Sequence, residues 1–173
     1  MSISLQKGQK VSLTKDNAGL SRVVVGLGWD EVKQKKGLFA PKPQPIDCDA
    51  SALLLVSGKL VDNRDVVYYG NLKHMTGTVQ HMGDNLTGAG EGDDEQIIVD
   101  LSRVPDQYDK IVIVVTIYQA VQKGQHFGLI ENAFIRLVNA ANNTEMCKYN
   151  LSENYSGMTA MIFGEIYRHG GEW

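Results

Sequence analysis

An antiparallel β-sandwich of two sheets is the fold this sequence predicts, on three observations. Its apolar segments are short, they are rich in valine and isoleucine, and turn residues separate them. Strands are expected at about Lys10 to Leu13, Arg22 to Gly28, Asp47 to Val56, Val66 to Tyr69, Gln96 to Leu101, Lys110 to Tyr118, Ala133 to Asn139, Met146 to Leu151 and Ala160 to Tyr167. Helices should be few and short. In the third of these strands the period of two places Asp47 and Asp49 on one face, about 6.6 Å apart, with Cys48 turned toward the core. The run Ile111-Val-Ile-Val-Val-Thr-Ile is apolar on both faces, which marks a central strand, whereas Ala133-Phe-Ile-Arg-Leu-Val-Asn alternates as a half-exposed strand does. Nine such segments in 173 residues match the size of two packed sheets. Between Glu31 and Ile46 the rhythm is interrupted by Lys33, Lys35, Lys36 and Lys42 and by Pro41, Pro43 and Pro45, which read as an exposed loop with polyproline II character.

At this length the chain is most simply one domain, large enough to bury about two thirds of its unfolded surface without metal or disulfides. The formal charge is −3, and the acidic excess lies in the second half, so nucleic acid is not an expected partner. Met1-Ser-Ile-Ser-Leu-Gln-Lys lacks the apolar core of a signal peptide, and Ile111 to Val115 is far too short to cross a bilayer. A cytoplasmic protein without a transmembrane segment is the expectation. The two cysteines, Cys48 and Cys147, agree with a reducing compartment, and the four histidines show no zinc-ligand spacing.

The stretch from Asp84 to Glu95 carries five carboxylates and no base, broken by Gly88, Gly90 and Gly92. Two carboxylates about 6 Å apart in water repel by roughly 0.7 kcal/mol, so such a loop is either solvated and open or neutralised by a cation. Glycines that let the chain fold back, with Asn85 and Thr87 interleaved, are what oxygen coordination of calcium uses. Asp47 and Asp49, Asp30 after the Gly26-Leu27-Gly28-Trp29 turn, and Asn71 are the candidate companions; each alone also fits a turn cap or a surface hydrogen bond. The loop is not an EF-hand, because Leu86 and Gly88 occupy ligand positions and Ala89 the sharp-turn glycine position. Nor does it repeat, as a calcium-binding β-roll must. Gly88-Ala-Gly90-Glu-Gly92 lacks the spacing and the lysine of a phosphate cradle, and no GxSxG elbow is present.

Five motifs are spread along the chain: Val25-Gly26-Leu27-Gly28-Trp29-Asp30, Asp47-Cys48-Asp49-Ala50-Ser51-Ala52, His81-x-Gly83-Asp84-Asn85-Leu86-Thr87-Gly88, Gly92-Asp93-Asp94-Glu95, and the block from Thr159 to Trp173. In these residues, and along essentially its whole length, the chain resembles the TerD family of tellurium-resistance and general stress proteins. The resemblance implies a single β-sandwich domain over residues 1–173, with acidic loops at one end that bind two calcium ions. By position the metal residues would be Asp30, Asp47, Asp49, Asn71, Asp84, Asn85, Asp93, Asp94 and Glu95. It further implies a cytoplasmic, non-catalytic protein whose partners are other stress and tellurium-resistance proteins, among them a membrane-associated complex. The family usually places an apolar residue where Cys48 stands, and usually continues past Gly171-Glu172-Trp173 with another strand and a tail.

Three functions follow as expectations: a calcium-binding interaction module, a calcium-dependent module for anionic lipid, and an enzyme acting on tellurite. The last would have only Cys48 and Cys147 as redox side chains.

Overall fold

Valine and isoleucine at alternate positions do form strands, and the strands build two facing sheets. The computed structural model describes residues 2–15, 17–31, 44–83, 92–151, 153 and 155–173. Its strands are β1 (Ile3–Ser4), β2 (Arg22–Glu31), β3 (Cys48–Leu55), β4 (Val66–Val67), β5 (Val79–His81), β6 (Glu95–Asp100), β7 (Lys110–Ile117), β8 (Ile130–Asn139), β9 (Thr144–Asn150) and β10 (Ala160–Tyr167). One short helix, α1 (Ala120–Lys123), follows β7. The larger sheet runs β1-β9-β8-β2-β6-β5 and the smaller β10-β7-β3-β4. Every strand pair is antiparallel except β1 with β9.

The core lies between the sheets and is made of the inward positions of each strand. Val23, Val25, Leu27 and Trp29 of β2 face Cys48, Ala50, Ala52 and Leu54 of β3 and Ile111, Ile113 and Val115 of β7, all buried. β7 is central in its sheet, as its two apolar faces predict. The antiparallel sandwich and the scarcity of helix agree with the sequence reading, and the bounds of β10 coincide with it.

Two details differ. Lys10 to Leu13 is not a strand: the backbone N–H groups of Leu13 and Thr14 donate to the Trp173 carbonyl, so the segment is held by the far end of the described chain instead of a ladder. Conversely β5, only three residues with a glutamine and a histidine in it, carries too little apolar periodicity to show in sequence. The 32–43 part of the proline-rich loop lies outside the described residues.

The strand directions define two ends. One is formed by the start of β3, the starts of β6 and β8, and the ends of β2 and β7. At the opposite end a buried polar network takes the place of apolar packing. Asp65 Oδ1 accepts from the Tyr108 hydroxyl at 2.7 Å and lies 3.0 Å from His74 Nε2. The Thr76 N–H donates to His74 Nδ1, which leaves the ring hydrogen of a neutral imidazole on Nε2, directed at Asp65. Asp65→Ala should strand two buried donors and lower stability by about 3 kcal/mol in urea unfolding, while leaving events at the other end unchanged.

Candidate metal centre

The first end gathers most of the carboxylates singled out in sequence. Asp47 and Asp49 flank Cys48 at the start of β3 and are both buried, and Cys48 faces the core as the period of two requires. Glu95 opens β6 on the inner face, and its Oε2 accepts from the Ala50 N–H at 2.6 Å. That bond ties the start of β6 to the residue following Asp49. Asp94 is fixed beside the end of β2: its N–H donates to the Leu27 carbonyl at 2.7 Å, and its Oδ2 accepts from the Trp29 N–H at 2.9 Å. Trp29 in turn donates from its indole to the Ile46 carbonyl, one residue before Asp47. A register shift between Gly28 and Asp30 lets β2 make these contacts at its end.

The electrostatics record the convergence. Burial pushes the Cys48 thiol far above its usual range, and the charges of Glu95, Asp47, Asp49 and Asp94 add to it. Burial likewise raises Asp94, against the opposing Trp29 hydrogen bond and with the help of Asp30 and Asp93. Six of the nine sequence-predicted residues thus act on one region.

Asp93 has its own partners. Gly26 sits between Gln96 on β6 and Arg136 on β8 in register, and the Asp93 carboxylate lies over it. Arg136 donates to both Asp93 oxygens, Nε to Oδ1 at 2.7 Å and an Nη to Oδ2 at 3.2 Å, and Gln96 Nε2 donates to Oδ2 at 2.9 Å. Arg136 also reaches Glu145, which accepts from the Ser2 hydroxyl. In this structure Asp93 is a strut across the outer face of the large sheet. Asp30 Oδ2 accepts from Asn132 Nδ2 at 2.9 Å. Asn71, expected as a neutral ligand, spends its amide on the Val66 carbonyl and closes a turn against Tyr68. Asp84 and Asn85 lie outside the described residues.

His81 is the neighbour that the sequence reading left out. It is fully buried, accepts at Nδ1 from the Gly83 N–H at 3.1 Å, and presents Nε2 to Glu95 Oε2 at 3.5 Å. Its place in His81-x-Gly83-Asp84 was visible only as spacing; the inward register opposite Ile97 explains it. Glu95 Oε1 is buried and has no hydrogen-bond partner among the described residues. An uncompensated buried carboxylate oxygen is costly, and a hard cation is one group that relieves it.

A family model described as the TerD domain matches residues 1–173. The stress response protein SCP2 of Bacillus subtilis (strain 168) is 55% identical, over 100% of this chain and 89% of its own length. The tellurium resistance protein TerD of Serratia marcescens is 49% identical over 100% of this chain and 87% of its length. Among solved structures, that of a protein of unknown function superposes with a TM-score of 0.69 at 25% identity, covering 90% of this chain and 85% of the other. A homologue of the telluride resistance protein from Streptomyces coelicolor A3(2), at 23% identity, shares the fold with a TM-score of 0.62.

Proposed function

The chain belongs to the TerD domain family, of tellurium-resistance and stress-response proteins, and from that premise we propose that it is a calcium-binding, non-catalytic interaction module. The observation that supports calcium is the buried, partnerless Glu95 Oε1 at an end where Asp47, Asp49 and Asp94 also collect. All these donors are hard oxygens, which suit calcium and not a soft metal. Asp30, Asp47, Asp49, Asp94 and Glu95 would hold the ions, with Asp84 and Asn85 of the adjoining loop. Asp93, held by Arg136, keeps the Gly92-Asp93-Asp94 turn in place. Among the described residues no group of three candidate ligands is close enough to hold an ion by itself, and residues 84–91 of the adjoining loop lie outside the described residues.

Bound calcium supplies positive charge that neutralises the cluster. The chain's own contribution is geometric: Trp29 ties Asp94 to the entry of β3, and Ala50 fixes Glu95 beside Asp49. An ion there favours one arrangement of that end, because it binds the ordered carboxylates better than separated ones. The non-catalytic reading is supported by the two thiols, both buried and both pushed toward the protonated form by burial, since the thiolate is the reactive species. The partners would be other proteins of the stress and tellurium-resistance response, in the cytoplasm; among the described residues no helix is long and apolar enough to cross a membrane.

Calorimetric titration and melting in chelator test this reading together. Calcium should bind with measurable heat, and at about 100 times the dissociation constant one site should add roughly 2.7 kcal/mol of stability. Absence of heat together with an unchanged melting temperature would overturn it.

A further inference from the structure

The loop after β7 holds apolar side chains out into water directly beside the carboxylates. Tyr118 follows the last residue of β7, and its N–H donates to the Asp47 carbonyl at 2.8 Å. Its ring meets the Tyr69 ring edge-on at 6.3 Å, and both rings are close to half exposed. Lys123 Nζ lies 5.2 Å from the Tyr118 ring centre, and between them Val121 on α1 is 84% exposed.

The loop is built to hold this position. Gln119 begins it at φ 53°, a left-handed conformation unusual for a residue with a side chain, and Gly124 ends it at φ 63°. Gln125 is buried and its Nε2 donates to the carbonyls of Gln44 and Pro45, just before Asp47. The tip and the Asp47 segment are therefore joined by Gln125 on one side and Tyr118 on the other.

We propose that Tyr69, Tyr118, Val121 and Lys123 form a docking tip for an anionic lipid bilayer, which engages when cations fill the neighbouring carboxylates. This rests on the calcium reading above and names what the ordered end meets. Three features favour a bilayer over a folded protein. Tyr69, Tyr118 and Val121 of the tip are exposed, Val121 most of all, so they can enter a deformable interface. Two tyrosines, an aliphatic residue and a lysine are the side chains that partition at the headgroup boundary, rings and methyls inward and ammonium outward. The charge also favours dependence on calcium: an acidic end repels anionic headgroups, bound cations offset much of that charge, and Lys123 and the ions then attract the same surface.

Co-sedimentation with vesicles of phosphatidylcholine containing phosphatidylglycerol, with calcium or with chelator, tests it. The protein should sediment only with calcium and only with the anionic vesicles. Val121→Asp, at a position too exposed to affect folding, should weaken that binding about tenfold or more, by removing a buried aliphatic side chain and adding a like charge. Val61→Asp, also exposed but in the loop between β3 and β4 at the opposite end, should bind as the parent does and controls for the added charge. Calcium heat without vesicle binding, or equal binding by Val121→Asp and the parent, would overturn the lipid proposal and leave calcium binding standing; the first result would direct the tip to a protein. No calcium heat at all would overturn the reading beneath it.

Discussion

Gly26→Ala should destabilise the protein by about 2 to 3 kcal/mol and abolish most of any calcium-induced gain in melting temperature. A Cβ on Gly26 would occupy the space of the Asp93 carboxyl, which lies on the strand surface with Gln96 on one side and Arg136 on the other. Neither strand can retreat, because β2 is bonded to β6 and β8 over most of its length. Asp93 must therefore leave, and the Arg136 guanidinium loses its two-pronged partner. Arg136 keeps Glu145 and some solvent, which holds the loss below that of a fully buried pair. Asp94 moves with its neighbour, loosening its bond to Trp29. Asp93→Gly in the same chain removes the obstructing carboxylate. The double variant should thus be no less stable than Asp93→Gly alone, whereas two independent losses would add. Urea unfolding of the four proteins measures the cycle; additive losses would show that Gly26 matters for some reason other than Asp93.

That geometry also shows where sequence reasoning reached and where it stopped. The sandwich was legible because its strands carry their own signals: the doubly apolar Ile111 to Ile117, the alternating Ala133 to Asn139, the valines of β2. The alternation around Cys48 correctly separated the thiol from Asp47 and Asp49. The clustering of Asp94 and Glu95 with Asp47 and Asp49 follows from which strand ends the topology brings together, and periodicity carries no information on that. The Gly26, Gln96 and Arg136 row is likewise a matter of cross-strand register: three residues far apart in sequence, each unremarkable alone, become a cradle when β2 lies between β6 and β8. Asn71 illustrates the reverse. Its type suits an oxygen ligand, but a turn beside Tyr68 left the Val66 carbonyl within reach of its amide, and local hydrogen bonding took it.

Removing charge from the cluster separates the apo protein from the loaded one, because the two respond with opposite sign. Glu95→Gln keeps an oxygen for the Ala50 N–H and replaces a buried carboxylate, one of whose oxygens lacks a hydrogen-bond partner among the described residues, by a neutral amide of the same shape. In chelator the variant should melt at or above the parent temperature, and with calcium the stabilisation of roughly 2.7 kcal/mol expected at 100-fold saturation should largely vanish. Asp94→Asn should behave alike, and here pH supplies a second sign. Burial, with the charges of Asp30 and Asp93, raises the Asp94 carboxyl in the folded protein above its unfolded value, despite the Trp29 N–H. Its ionisation therefore opposes folding above the folded-state value, and the opposition is relieved as pH falls through that value toward the ordinary carboxylate range. The parent in chelator should then gain stability relative to Asp94→Asn as the solution is acidified from neutrality toward the ordinary carboxylate range, and calcium should erase the difference in slope by favouring the ionised form. Melting both proteins across that range, with and without calcium, decides it. Parallel pH profiles in chelator would mean that Asp94 does not sit among the repelling charges the geometry gives it, and unchanged calcium stabilisation in both variants would remove Asp94 and Glu95 from the set of ligands.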